Sequence, residues 1–201
     1  MNAATANTNV LFFGPQGVGK GTQAAVVAPL LRLAHVSTGD LFRRHIAEQT
    51  PLGQRVGPIL EAGELVPDDL TIAMLDDHLI TLRQTHPELR GVIFDGFPRT
   101  VAQVEALDTF LRTRGEAIDA VVYIDAPRPV LVERMFNRGR ADDTREAAEE
   151  RLRLYDEKTR PLLSLFEQRG IIMRINGDQP VEAVTAEIAD ALAPLFAGSV
   201  A

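Results

Sequence analysis

Short apolar runs recur along the chain, and longer segments with helical spacing lie between them. The runs are rich in Val, Ile and Phe and are continuously apolar, which is typical of strands buried on both faces of a sheet. The five runs are Val10–Phe13, Ala34–Ser37, Val92–Phe94, Ala120–Ile124 and Ile171–Ile175. The helical segments are Thr22–Leu31, Asp68–Leu82, Thr100–Arg114, Arg128–Arg138, Asp143–Arg169 and Pro180–Phe196. This alternation predicts an α/β fold of three layers, in which a five-stranded parallel sheet carries helices on both faces.

One stretch, Gly39 to Pro67, departs from this alternation. It has the pattern of several short helices, so we expect a small lobe inserted at residues 37–66 of a single domain that spans residues 9–201. Pro29 lies near the end of the first helical segment and is expected to end or kink that helix. Residues 1–8 lack the basic and apolar regions of a secretory signal, and we interpret them as a short flexible leader.

Composition narrows the chemistry that this chain can perform. The sequence has no cysteine, which excludes disulfides, thiolate zinc sites and a cysteine nucleophile, and its four histidines lack metal-ligand spacing. The net charge of −7 argues against a nucleic-acid surface, and no apolar run approaches the roughly 20 residues of a membrane span. Lys20 and Lys158 are the only lysines among 21 basic residues. The rest are arginines, which suit bidentate phosphate recognition better than lysines do.

A polar or glycine-rich segment follows each of three predicted strands: "GPQGVGKGT", "STGD" and "DGFPRT". Ligands of such sheets bind at the carboxyl ends of the strands, where these three segments would meet. In the first segment, a glycine-rich loop leads into a helix whose N-terminal N–H groups and dipole favour an anion. Lys20 is positioned to reach the β- and γ-phosphates, and the Thr22 hydroxyl is positioned to approach a bound metal ion. Gly21 follows Lys20 directly, at the position that is Ser or Thr in the strict pattern. The loop predicts nucleoside triphosphate binding but does not distinguish kinases, GTPases, ATPases and motors.

Further motifs follow in order: "STGDLFR" at 37–43, "GELV" at 63–66, "DGFPRT" at 95–100 with Gln103, "ER" at 133–134, "RADD" at 140–143 and "RL" at 151–152. Together with "GKGTQ" they resemble the nucleoside monophosphate kinases, and among these most closely the adenylate kinases. The resemblance covers residues 9 to about 195. "GKGTQ" and "DGFPR" in one chain at this spacing are highly specific.

The resemblance implies a P-loop kinase that transfers the γ-phosphoryl group of ATP to AMP and forms two ADP. It implies Mg²⁺ but no zinc, a cytoplasmic monomer, and ATP, AMP and ADP as partners rather than nucleic acid or a membrane. Both reactants are anions, so catalysis requires positioning and charge neutralisation rather than a strong base. Gly139 alone separates Arg138 from Arg140, where long forms carry an inserted lid. We therefore expect a short lid at about residues 134–143.

The site residues implied by the resemblance surround two nucleotides. Catalytic roles fall to Lys20, Arg99, Arg134, Arg140 and Arg151. The ATP-binding residues are Gly17, Val18, Gly19, Lys20, Gly21, Thr22, Arg134, Arg138, Gly177 and Gln179. The AMP-binding residues are Thr38, Arg43, Glu64, Leu65, Val66, Gly96, Phe97, Pro98, Arg99, Gln103, Arg140 and Arg151. Thr22 and Asp95 would hold Mg²⁺, Asp95 through water.

Two smaller expectations also come from the resemblance. The Phe97–Pro98 bond is expected to be cis, in a tight turn that aims Arg99. Asp142 and Asp143 are expected to orient lid arginines, or else to cap the helix that begins there.

Thr38 and Gln103 bear on the choice of acceptor base. The resemblance places both beside the adenine of AMP, whereas UMP/CMP kinases typically have Ala and Asn at these positions. Both residues therefore favour adenine. Two alternatives stay open at this point: a UMP/CMP or GTP-dependent nucleoside monophosphate kinase, and a P-loop module that binds nucleotide without turnover.

Overall fold

The computed structural model describes residues 7–61, 66–137 and 144–197. Within these residues the strands are β1 (Thr8–Phe13), β2 (Leu33–Ser37), β3 (Gly91–Asp95), β4 (Ala120–Asp125) and β5 (Ile172–Asn176). They form one parallel sheet in the order β2-β3-β1-β4-β5. The predicted five-stranded parallel sheet is confirmed, and each strand overlaps the apolar run from which it was predicted.

The central strand β1 separates two hydrophobic cores. Val10 and Phe12 belong to one core and Leu11 and Phe13 to the other, and none of the four is more than 4% exposed. A continuous apolar run is the expected sequence of such a strand, because successive side chains point to opposite faces. In β5 the prediction of burial on both faces is wrong, because β5 is an edge of the sheet and only its Ile175 is fully buried.

Helices cover both faces of the sheet, as predicted. One core is closed by α1 (Lys20–Leu31), α6 (Arg128–Asn137), α7 (Arg145–Leu154) and α9 (Val181–Phe196). The other is closed by α2 (Thr38–Ala47), α3 (Pro51–Glu61), α4 (Asp68–Thr85), α5 (Val101–Arg112) and α8 (Leu162–Gln168). None of the helices in the described part of the chain has the length and apolar character needed to cross a membrane.

The single helix predicted over Asp143–Arg169 is wrong in two respects. The helix begins at Arg145, because the hydroxyl of Thr144 accepts a hydrogen bond from the N–H of Ala147 at 3.1 Å and caps it. The chain then passes through a π-helical turn, Tyr155–Thr159, before α8 begins. We call this segment the π-turn. Asp142 and Asp143, the residues predicted at the start of this helix, lie outside the described residues.

Three other expectations can be compared with the structure. Helix α1 ends at Leu31, two residues after Pro29, and Arg32 follows with φ 55°. The stretch predicted as an inserted lobe contains α2 and α3, the short helices expected there, while its behaviour as a separate lobe stays a prediction. The predicted leader is too long, because Thr8 already belongs to β1. Its first six residues and most of the predicted lid, 138–143, lie outside the described residues.

Candidate active site

The loop between β1 and α1 is held against β4 and α6. Gly14 has φ 141°, and a Cβ there would lie 2.1 Å from the carbonyl oxygen of Ile124. Gly17 has φ 83°, and a Cβ there would lie 2.7 Å from the carbonyl oxygen of Leu131. Both backbone conformation and close contact therefore require glycine at these two positions.

Lys20 is the first residue of α1, and its ammonium group lies over this loop. Its Nζ donates to the carbonyl of Gly14 at 2.7 Å and to that of Pro15 at 2.9 Å. Helix α1 has no acidic residue in its first turn, and its N-cap residue is Gly19, which offers no side chain to the helix N–H groups. A lysine charge beside a helix N-terminus that lacks acidic residues makes this end of the helix suitable for a phosphate.

A cleft of about 630 Å³ extends from this loop across the carboxyl edge of the sheet. The phosphate loop, Gly14–Thr22, lines one side of it. It is also lined by Asp40 and Arg43 of α2 and by the turn Asp95–Arg99, which follow β2 and β3 on one side of β1 in the sheet. The cleft thus brings together the three polar strand endings that the sequence singled out. In the described part of the chain its cationic lining consists of Lys20, Arg43, Arg99 and Arg134.

Arg99 follows the cis Phe97–Pro98 bond, which the structure confirms. Its Nε donates to the carbonyl of Gly96 at 2.7 Å, and its backbone N–H donates to Oε1 of Gln103 at 2.7 Å. Burial lowers the pKa of the guanidinium from its ordinary value, and nearby Asp95 opposes that change. Because arginine does not lose its proton in proteins, Arg99 carries a fixed positive charge at the cleft.

Asp95 ends β3 with its carboxylate close to the start of α1. A Cβ built on Gly21 would lie 3.6 Å from Oδ2 of Asp95. Nε2 of His35, on the neighbouring strand β2, lies 3.5 Å from the same oxygen. His35 lies on an edge strand of the sheet, and its side chain contacts the site. The distance between Asp95 and His35 depends on the parallel register of β2 and β3, which sequence spacing alone does not give.

Arg43 extends from α2 toward the cleft and forms an ion pair with Asp40 of the same helix. Burial would raise the pKa of Asp40, but the hydrogen bond and charge of Arg43 outweigh it and hold that pKa below its usual value. A phosphate that binds Arg43 must therefore compete with the Asp40 carboxylate.

On the opposite side, Arg134 of α6 meets the segment after β5. Its Nη1 donates to the carbonyl of Gly177 at 2.9 Å, and the Gly177 N–H donates to the carbonyl of Asp125 at 2.7 Å. Gln179 also lines the cleft, and its Nε2 donates to Oε2 of Glu187 at 2.9 Å. The residues predicted for the donor side thus lie together.

Replacing Gly177 by Ala is expected to lower the free energy of unfolding by about 1–3 kcal/mol. A Cβ there would lie 2.8 Å from Cγ2 of Ile124, 2.9 Å from Cγ2 of Val18 and 3.0 Å from the Asp125 carbonyl oxygen. Urea denaturation measures the change. Gly57→Ala is the matched control, because Gly57 lies in α3 with its nearest neighbour 4.0 Å away and alanine is favoured in a helix. Equal stability of the Gly177→Ala and wild-type proteins would show that a Cβ at residue 177 fits without steric conflict.

Thr38 and Gln103 lie directly behind the cleft surface, and each is 4% exposed. The hydroxyl of Thr38 donates to the carbonyl of Asp95 at 3.4 Å, and a Cβ on Gly96 would lie 3.0 Å from that hydroxyl. Oε1 of Gln103 accepts from the Arg99 N–H, and neither Thr38 nor Gln103 is among the residues that line the cleft. The predicted Val66 is also buried, in the core below α2 and α4.

The remaining predicted residues are divided between the described and undescribed parts of the chain. Thr22, Gly96, Phe97 and Pro98 line the cleft, whereas the half-buried Arg151 of α7 does not. Glu64, Leu65, Arg138 and Arg140 lie outside the described residues.

Several lining residues were not predicted as site residues, and Tyr155 and Thr159 are two of them. Both belong to the π-turn, and the hydroxyl of Thr159 donates to the carbonyl of Arg99 at 3.1 Å. The motif "RL" at 151–152 ends just before them, and apolar spacing predicted an ordinary helix through this region. Arg145, which matched no motif, lies with its guanidinium 5.0 Å from the centroid of the Phe136 ring.

Comparisons with known proteins identify the family of this chain. The family model described as "Adenylate kinase" matches residues 12–171. The chain belongs to the adenylate kinase family. The adenylate kinase of Thermus thermophilus is 45% identical over 187 residues, which make up 91% of this chain and 96% of the relative. That of Caulobacter vibrioides is 44% identical over 197 residues, 94% of this chain and 100% of the relative.

A third adenylate kinase, from Deinococcus radiodurans, is 44% identical over 181 residues, which cover 85% of this chain and 89% of the relative. Membership of the adenylate kinase family makes this chain a nucleoside monophosphate kinase. The fold, with its phosphate loop at the end of β1 and its sheet order, is that of a P-loop kinase.

Proposed function

We propose that the protein transfers the γ-phosphoryl group of ATP reversibly to AMP, with Mg²⁺, and forms two ADP. The observation that carries this proposal is that the phosphate loop, Arg43 and Arg99 all line one cleft. Two separate sets of phosphate-binding groups in one cleft suit a donor and an acceptor better than they suit one nucleotide. A module that only binds a triphosphate has no need of the second set.

On the donor side, the N–H groups of the loop Gly17–Thr22 and the charge of Lys20 hold the β- and γ-phosphates of ATP. Arg134 adds a second positive charge near the transferring group. Its hydrogen bond to the Gly177 carbonyl ties it to the segment 177–179, which we assign to the adenine of ATP. Arg138, outside the described residues, would join this group.

On the acceptor side, Arg99 and Arg43 hold the phosphate of AMP. An oxygen of that phosphate attacks the γ-phosphorus of ATP, and the bond from this phosphorus to the β-γ bridging oxygen breaks, so ADP leaves on each side. The positive charges that surround the three equatorial oxygens stabilise the transition state. We assign Arg140 and Arg151 to the same transferring group.

The residues at the start of α1 fit a Mg²⁺ ion that is held mainly by phosphates. Thr22 and Asp95 both line the cleft and supply oxygen atoms, which Mg²⁺ prefers. Mg²⁺ binds few protein ligands in kinase sites and keeps several of its waters. When bound, the ion neutralises charge on the β- and γ-phosphates. Asp95 would hold its water shell, and Nε2 of His35 lies 3.5 Å from Oδ2 of this carboxylate.

The choice of AMP as acceptor rests on Thr38, which contacts Asp95, and on Gln103, which contacts Arg99. We assign Val66 to the same base, together with Glu64 and Leu65, which lie outside the described residues. Thr38→Ala is expected to lower the preference for AMP over CMP, measured as the ratio of kcat/KM values, by about tenfold. Thr38→Ser keeps the hydroxyl and is expected to keep the preference. An unchanged ratio in Thr38→Ala would contradict the assignment of Thr38 to the base.

The proposed reaction is tested by ADP formation from MgATP with AMP, CMP, UMP, GMP or no acceptor. Rapid turnover with AMP alone is the expected result. Faster turnover with CMP or UMP would identify a pyrimidine nucleotide kinase, and MgGTP in place of MgATP tests the donor. ATP binding without turnover on any acceptor would favour a binding module. We further propose a cytoplasmic monomer, as is usual in this family and compatible with a sequence that has no cysteine.

A further inference from the structure

The π-turn between α7 and α8 places the side chain of Thr159 at the cleft, beside Arg99. In this turn the Arg160 N–H donates to the carbonyl of Tyr155, five residues earlier, at 2.8 Å. A π-turn adds one residue to a helical turn and therefore rotates the following side chains about the helix axis by about 100°. Asp156, Glu157 and Lys158 are exposed, whereas Thr159 is half-buried and lines the cleft.

The hydroxyl of Thr159 contacts the backbone of Arg99 across 60 positions of sequence. It donates to the Arg99 carbonyl at 3.1 Å. The other hydrogen bonds of Arg99 within the described chain involve Gly96 and Gln103, which belong to the same local segment. Thr159 thus provides a hydrogen bond between Arg99 itself and a separate element of the fold.

The two terminal nitrogens of Arg99 are oriented by these contacts. Nε is held by Gly96, while Nη1 and Nη2 have no hydrogen-bond acceptor among the described residues. These are the atoms that bind a phosphate in the bidentate manner typical of arginine. Their position depends on where the backbone of residue 99 lies, and Thr159 fixes that backbone at its carbonyl oxygen.

From this geometry we propose that Thr159 is a positioning residue for the acceptor phosphate. It acts through Arg99 and does not touch the nucleotide. The π-turn brings its hydroxyl to the Arg99 carbonyl, and Tyr155 anchors the turn to the end of β1, with its ring centroid 6.2 Å from that of Phe13. The inference rests on the proposed function, in which Arg99 binds AMP.

The test compares Thr159→Val, which keeps the shape but loses the hydroxyl, with Thr159→Ser, which keeps the hydroxyl. We expect Thr159→Val to raise KM for AMP by about three- to tenfold, the effect of one hydrogen bond. KM for ATP and the melting temperature should stay near the wild-type values, and Thr159→Ser should restore KM for AMP. Equal rises in both KM values, or no rescue by serine, would overturn the proposal.

A double-mutant cycle with Arg99→Ala separates this proposal from the proposed function. Arg99→Ala should raise KM for AMP, and Thr159→Val should add nothing further in the Arg99→Ala background. Independent, additive effects would show that Thr159 does not act through Arg99. If Arg99→Ala leaves KM for AMP unchanged, the proposed acceptor site itself is wrong. If Arg99→Ala raises it and Thr159→Val does not, only the role of Thr159 is overturned.

Discussion

Lys20→Met is expected to lower kcat with ATP and AMP by at least about a hundredfold, the scale seen when one group that stabilises the transition state is removed. The Lys20 ammonium lies over the phosphate loop, where negative charge accumulates as the γ-phosphoryl group transfers. Methionine fills similar space but has no charge. The fold is expected to remain, because Gly14 and Gly17 fix the loop through backbone contacts with β4 and α6.

The other lysine of the chain gives a matched control for this substitution. Lys158 is exposed on the π-turn, so Lys158→Met removes the same charge away from the phosphate loop. Its kcat should stay near that of the wild type. Steady-state ADP formation measures kcat for both variants, and thermal unfolding followed by circular dichroism checks the fold. A folded Lys20→Met enzyme with near-normal kcat would remove Lys20 from the mechanism.

Arg99→Ala is expected to raise KM for AMP by about 10- to 100-fold, since a charge-assisted bidentate contact to phosphate is lost. KM for ATP should change little, because we assign the donor phosphates to Lys20 and Arg134. The KM for AMP of Arg99→Lys should lie between those of the wild type and Arg99→Ala, because lysine keeps the charge but cannot form the bidentate contact of arginine. Initial rates with each nucleotide varied in turn give both constants.

Arg153→Ala is the control for a general loss of positive charge. Arg153 is exposed on α7 and forms ion pairs with Glu150 and Glu157, away from the cleft. Both KM values should remain normal in this variant. Equal increases in the KM values for ATP and AMP in Arg99→Ala would place the AMP phosphate elsewhere.

The sheet could be predicted from the sequence because its physical cause is local. A strand between two cores must be apolar at every position, and Val10–Phe13 is such a run. The three polar segments that follow β1, β2 and β3 could be predicted to lie together, because the carboxyl ends of parallel strands lie at the same edge of the sheet. The same logic failed at β5, where the edge position leaves most side chains partly exposed. Whether a strand lies at the edge or in the centre of the sheet depends on the strand order, which a single sequence does not specify.

Other features depend on contacts between distant segments. The π-turn is a change of hydrogen-bond register, and neither Tyr155 nor Thr159 differs in type from residues common in ordinary helices. The contact between Thr159 and Arg99 therefore had no sequence signal. The proximity of His35 to Asp95 had no sequence signal either, because it follows from the pairing of β2 with β3. The position of Arg99 at the cleft could be predicted, because Arg99 lies within the motif "DGFPRT".

Direct transfer between two nucleotides in one cleft is tested by labelling the γ-phosphate of ATP with radioactive phosphorus and separating the products. The account predicts that, with AMP and Mg²⁺, the label appears in ADP, and that free phosphate stays at the level found without protein. Arg99→Ala should slow the appearance of labelled ADP at low AMP concentration. Label that accumulates as inorganic phosphate, or that never leaves ATP in the presence of AMP, would contradict the claim that the two halves of the cleft hold a donor and an acceptor.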